Sequence, residues 1–190
     1  MKTKNEKNLE SMCEEIVLDH LVYIGAKNTS KIFAKKLRLD IPKDLEELEN
    51  RNDICKHIRK CNLKMAFDLL EKSYPYMLNT DDEEEKEVIK LMTNQLFIEY
   101  VRNKKFIEAV NLGRKIMETS PFAFNEEIFS LLGYKNHNDP SISNLFDKNR
   151  PRELGDRLNR VLFNRSKGRK LSLFYLLFLQ YNSIMKYLRE

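Results

Sequence analysis

LENRNDICKHIRKCNLKMAFDLLEKSYPYMLNTDDEEEKEVIKLMTNQLFIEYVRNKKFIEAVNLGRKIM, residues 48–117, is the stretch that decides the fold. Its apolar residues recur every three or four positions in successive short segments, the period of amphipathic helices. Leu48, Ile54 and Ile58 lead into Leu63, Ala66, Phe67 and Leu70, with an N-cap expected at Asn62. Val88, Leu91, Met92, Gln95 and Leu96 form the next stripe, and Phe106, Ala109, Val110, Gly113 and Met117 the last. Tyr74-Pro75-Tyr76 should interrupt the helices, because proline removes a donor and turns the preceding residue away from helical geometry. Thr80-x-x-Glu83 has the pattern of a capping box that opens the following helix. A stack of helical hairpins with a broad apolar face and no chemical equipment predicts an interaction scaffold rather than an enzyme.

Composition narrows the class. The chain has 190 residues, 42% hydrophobic and 33% charged, which suits one globular domain or two small ones with a core. Five glycines, five prolines and little alternation of β-branched residues leave almost no room for a sheet, so the expected fold is all-α. The net charge of +5 is compatible with acidic partners or nucleic acid and demands neither. Cys13, Cys55 and Cys61 make an odd set without a disulfide framework, which suits a reducing compartment. The opening MKTKNEKNLE lacks the apolar run of a secretory signal, and no stretch reaches the ~18 apolar residues of a membrane helix. The expected location is the cytoplasm and the nucleus.

Working outward, residues 1–8 read as a frayed polar tail. Leu9, Met12, Cys13, Ile16, Val17, His20, Leu21 and Ile24 form a helical stripe that stops at Gly25, a natural residue for a helix end. Asn28 or Thr29 can cap a second helix carrying Ile32, Phe33 and Leu37, and Asp44 the helix after Pro42. Past Met117, Ser120-Pro121 is a break, Ile128 to Leu132 a short helix ending at Gly133, and Lys135 to Ser141 a loop. Pro151 fits the first turn of a helix carrying Leu154, Leu158, Val161 and Leu162. After a turn over Ser166–Lys170, the final helix, Leu171 to Leu188, is the most apolar segment. A helix apolar all round must be covered, by its own core or by another subunit.

Leu21-x-x-x-Gly25-x-x-x-x-Ser30-x-x-Phe33 resembles a LisH motif, with Ala26 where that motif has an aromatic and Ser30 where it has an alanine. Arg51 through Met117, with the Tyr74-Pro75 break and Ile98-Glu99-x-x-Arg102, resembles a CTLH segment. Residues 126–163, with Leu131-Leu132-Gly133-Tyr134, Ile142-x-x-Leu145-Phe146 and Leu158-Asn159-x-Val161-Leu162, resemble a CRA segment. The order implies a LisH-like pair at 9–41, CTLH-like helices at 44–117 and CRA-like helices at 121–190. It also implies that residues 145–190 pack back on LisH. No part resembles the SPRY, RING-like, armadillo or propeller regions of larger members, so the chain is similar to the small scaffold subunit of GID/CTLH ubiquitin ligases.

The resemblance implies two interfaces. Leu21, Ile24, Phe33, Phe174, Leu177, Phe178 and Tyr181 belong to a LisH/C-terminal module, and the four C-terminal residues are expected to cover the Leu21–Ile24–Phe33 stripe. Phe97, Tyr100, Phe106, Leu131 and Leu132 belong to a CTLH/CRA module. Expected partners are further LisH–CTLH–CRA chains, like and unlike, including RING-bearing subunits; neither membrane nor nucleic acid is an expected partner. The alternatives are a stand-alone LisH-type dimeric adaptor unrelated to ubiquitin and a basic RNA-associated helical protein.

Other constellations are read conservatively. On a helix Cys55 and His57 point to nearly opposite faces, and with Cys61 they still lack a fourth zinc ligand, so no metal is expected. Asp81 to Glu85 suits a helix start, where carboxylates favour the dipole, and lacks the glycine of a calcium loop. Basic residues crowd 148–170, with Arg150, Arg152, Arg157, Arg160, Arg169 and Lys170 a candidate patch for an acidic partner or nucleic acid. No aromatic stacking motif accompanies it. His20, His57 and His137 lie in separate contexts, and no nucleophile-elbow, P-loop, zincin or dinucleotide motif is present, so neither catalysis nor a cofactor is expected.

Overall fold

The computed structural model describes residues 4–42, 45–119, 126–134 and 139–189. Asp44, the Ser120-Pro121 break, His137 and most of the 135–141 loop lie outside the described residues. Every regular element among the described residues is helical, as composition required. None of these helices is long and apolar enough to cross a membrane. The chain forms two compact units, Met1–Asn52 with Asn159–Glu190, and Asp53–Leu158.

The first unit joins the two ends of the sequence. Helix α1 (Lys4–Tyr23) already includes residues expected in a frayed tail. It turns into α2 (Lys27–Leu37) through Gly25, at φ 77°. The Ala26 amide donates to Leu21 O at 2.9 Å, closing the helix end. Only glycine fits there: a Cβ would lie 2.5 Å from Asn52 Cβ, besides the strain of the left-handed backbone. Residue Ala26 occupies the N-cap of α2, where Asn28 or Thr29 was expected, without a side-chain cap. The start of α3 (Leu45–Arg59), the end of α8 (Arg150–Lys167) and α9 (Leu173–Tyr187) complete this unit. Val22, Tyr23, Leu48 and Phe163 belong to one apolar core of this unit, with Leu171 against it.

The second unit is contiguous in sequence. The rest of α3 turns through Cys61 into α4 (Leu63–Ser73), and Asn62 holds the expected N-cap position without a side-chain cap bond. Pro75 then opens a 3-10 turn (Pro75–Asn79) where a break was expected. Helix α5 (Glu83–Arg102) is capped by Asp82 rather than Thr80: Asp82 Oδ1 accepts from the Glu84 and Glu85 amides at 2.9 Å each. Thr80 donates instead to the buried Glu85 carboxylate at 2.6 Å. Next come α6 (Phe106–Thr119), α7 (Glu126–Phe129), 3-10 turns at Ser130–Gly133 and Ser143–Phe146, and the start of α8. Phe97, Ile98, Val101, Ala109, Leu131 and Leu145 belong to one apolar core of this unit. Gly113 lets α6 approach the Phe129 ring, which a Cβ would meet at 2.5 Å.

Candidate partner-binding surfaces

In the first unit, buried polar groups fix the junction between the sequence ends. Arg51 is 2% exposed, and its guanidinium donates to the last carbonyls of α1, Val22 O at 2.7 Å and Tyr23 O at 2.8 Å. It also bonds Asn159 Oδ1, while Asn159 Nδ2 donates to Tyr23 O at 3.2 Å. A helix C-terminus leaves such carbonyls without partners, so these donors complete α1. The centre of the fully buried Phe163 ring is 5.4 Å from the Arg51 guanidinium and 5.2 Å from that of Arg169.

Helix α9 is anchored to α1 at its first turn. Arg169 pairs with Asp19, and the same carboxylate accepts the Leu173 amide at 2.8 Å. Ser172 is the N-cap of α9, accepting from the Tyr175 amide, and its hydroxyl meets His20 Nδ1 at 3.1 Å. His20 also lies 5.2 Å from the Phe174 ring and 5.4 Å from that of Tyr175. The C-terminal helix therefore does return beside the LisH-like pair.

Beyond that turn the expected covering fails. No residue of α9 is buried. Phe174 touches His20, but Leu177, Phe178 and Tyr181 are 48%, 52% and 59% exposed. Ile24 is exposed too, and Leu21 and Phe33 are half-buried. On α1, Leu9, Met12 and Val17 add further exposed apolar surface. One chain does not supply enough facing surface to close a helix that is apolar on every side, so the stripe is left open.

In the second unit the expected partner residues divide. Phe97 and Leu131 are fully buried in the core, a correction to their expected place on an interface. Their rings and branches hold α5 against the turn at Ser130–Gly133, so they act on a partner only through the fold. Tyr100 and Leu132 are half-buried, and Phe106 is 46% exposed. Sequence reasoning missed Arg102, which donates to the buried Glu99 at 2.8 Å and to Phe146 O at 3.1 Å, tying the Ser143–Phe146 turn to α5. Its position in Ile98-Glu99-x-x-Arg102 was the available signal.

Cys55 is buried, His57 faces Asn62 at 3.2 Å, and Cys61 lies beside Arg102 at 3.9 Å. Burial, and then the Glu99 carboxylate, push the Cys61 thiol up from its ordinary range. Within the basic segment, Arg152, Arg160 and Lys170 are exposed, while Arg150 and Arg157 are half-buried. Arg169 is committed to Asp19 and to Leu171 O. The division between the units falls at Leu158 and Asn159, inside this segment.

Helical hairpins that end in an uncovered apolar helix define a protein-interaction module. The family model for the CTLH/CRA C-terminal to LisH motif domain matches residues 47–189, most of the chain, and the chain belongs to that family. It is a protein-interaction adaptor by class. No curated protein and no solved structure matches it.

Proposed function

We propose that the chain is a non-catalytic scaffold subunit of a GID/CTLH-type E3 ubiquitin ligase in the cytoplasm and nucleus. Its two units serve two interfaces. The first takes a second copy through α9 and the exposed stripe of α1, and the second takes a different family member. Joining RING-bearing and receptor-bearing subunits raises the local concentration of substrate near the transferring site, a contribution of proximity rather than chemistry.

The observation that carries this reading is α9, an apolar helix with no buried residue whose first turn is nonetheless held in place. A surface so apolar and so fixed in position favours a standing contact over incidental exposure. Two interfaces per chain are also what ring-like or extended assemblies require. The test is mild affinity capture of the tagged chain from its own cells, with protein identification. Recovery of RING-bearing chains that carry the same family domain supports the ligase scaffold; recovery of the chain at dimer mass without them contradicts it and moves the function to a stand-alone adaptor.

A further inference from the structure

We propose that the outward face of α2, in the first unit, docks an acidic helix of a different protein, with glutamates four residues apart and an apolar residue beside them. Lys27, Lys31 and Lys35 form one row down α2, and Asn28, Ile32 and Lys36 form the row next to it. The helix contains no Asp or Glu. Lys31, Ile32, Lys35 and Lys36 are exposed, Ile32 to 67%. Among the described residues no hydrogen bond or ion pair reaches the ammonium of Lys31, Lys35 or Lys36. Lysines four apart repel one another, so the row destabilises the free helix. The field at a helix C-terminus favours Lys35 and Lys36 in the last turn, but it explains neither Lys31 nor an exposed isoleucine among the cations.

The chain itself shows which group satisfies this row. Lys27, its first member, pairs with the Glu49 carboxylate of α3, while Lys31 and Lys35 continue the row without one. Four residues of helix rise about 6 Å, so glutamates at i and i+4 of a second helix meet both ammoniums together. Ile32 then receives the apolar residue beside those glutamates. A phosphate backbone would leave Ile32 without apolar contact, and the face has no exposed aromatic ring for a base to stack on. A second copy does not supply the match. On the chain's own described helices, each pair of carboxylates at this spacing has a member already engaged: Glu10 before Glu14, Asp19 after Glu15, both Glu49 and Asp53, and Glu83 before Glu87.

The test uses the full-length chain in fluorescence anisotropy at low salt, with a labelled helical peptide that repeats Glu-x-x-x-Glu beside a row of leucines. Lys31→Glu with Lys35→Glu is compared with Arg152→Glu with Arg160→Glu, which changes the net charge equally at exposed residues of α8. The α2 pair should weaken binding about tenfold and the α8 pair less than about threefold, because only the first replaces two ion pairs by two repulsions. Helicity should be unchanged in both, since all four side chains lie at the surface. Ile32→Ser, which alters no charge, should weaken the peptide about threefold. Equal losses from the two charge reversals, or unchanged affinity with Ile32→Ser, would overturn the assignment. So would a single-stranded oligonucleotide or phosphatidylserine vesicles that bind through the same lysines more tightly than the peptide. A solution mass that falls when Lys31 and Lys35 are reversed would give the face to a second copy and overturn it as well. These readouts need no ligase subunit, so the docking face stands or falls apart from the affinity capture.

Discussion

The two units solve the same problem by different means. The second is contiguous, and Phe97, Ile98, Val101 and Leu131 are fully buried in its core, with the buried Glu85 and Glu99 bonded to neighbours close in sequence. The first joins residues more than a hundred positions apart through polar groups: Arg51 with Asn159, Asp19 with Arg169, His20 with Ser172. Apolar burial is non-directional and scales with area, whereas buried hydrogen bonds demand one geometry. In the first unit the most apolar helix has no buried residue and is tied down only at its first turn. Its register is therefore set by polar contacts, which leaves α9 available to another chain.

That contrast can be broken by substitution. Phe97→Ala removes a fully buried ring stacked on Phe129 at 5.8 Å and should cost about 3–5 kcal/mol. Hydrogen exchange should assign the loss to residues 53–158; equal loosening of α1 and α9 would erase the distinction between the units. Arg51→Ala should cost about 2–3 kcal/mol by removing the buried charged donor shared by Val22 O, Tyr23 O and Asn159 Oδ1. In this case urea unfolding with residue-resolved exchange should show protection lost at the end of α1 and kept in α5. Ser172→Ala deletes the cap of α9 and should cost about 1 kcal/mol, read as faster amide exchange at Tyr175.

The smallest effect concerns Cys61. Its thiol pKa is raised in the folded state, so that state holds the proton more firmly than the unfolded chain. The resulting stability is present below the ordinary thiol value and is lost as pH rises through the raised one. Alkylation at mildly alkaline pH should modify the exposed Cys13 first and Cys61 later. If Cys61 reacts as fast as Cys13, burial and the Glu99 carboxylate do not hold its thiol protonated.

The helices, the Pro75 break and the turn at Gly25 were legible in the sequence because each depends on local geometry. The apolar period reports which face of a helix is covered, but not whether its own chain covers it. For that reason Phe97 and Leu131 passed for interface residues, and α9 was expected to close over Leu21, Ile24 and Phe33. Capping at α5 was misplaced by two residues, since Thr80 and Asp82 can both cap and only the fold decides which side chain reaches the Glu84 and Glu85 amides. The Arg51–Asn159 contact has no local signature; only the family order implied that the C-terminal helices return.

The most direct test is the solution mass of the purified chain by light scattering at micromolar concentration, beside Phe178→Asp. The wild-type chain is expected above the monomer mass of 22.7 kDa, and the variant at 22.7 kDa with the same helicity. A wild-type chain that stays at 22.7 kDa, or a variant that still assembles, would contradict the account of α9 as a surface built for a second copy.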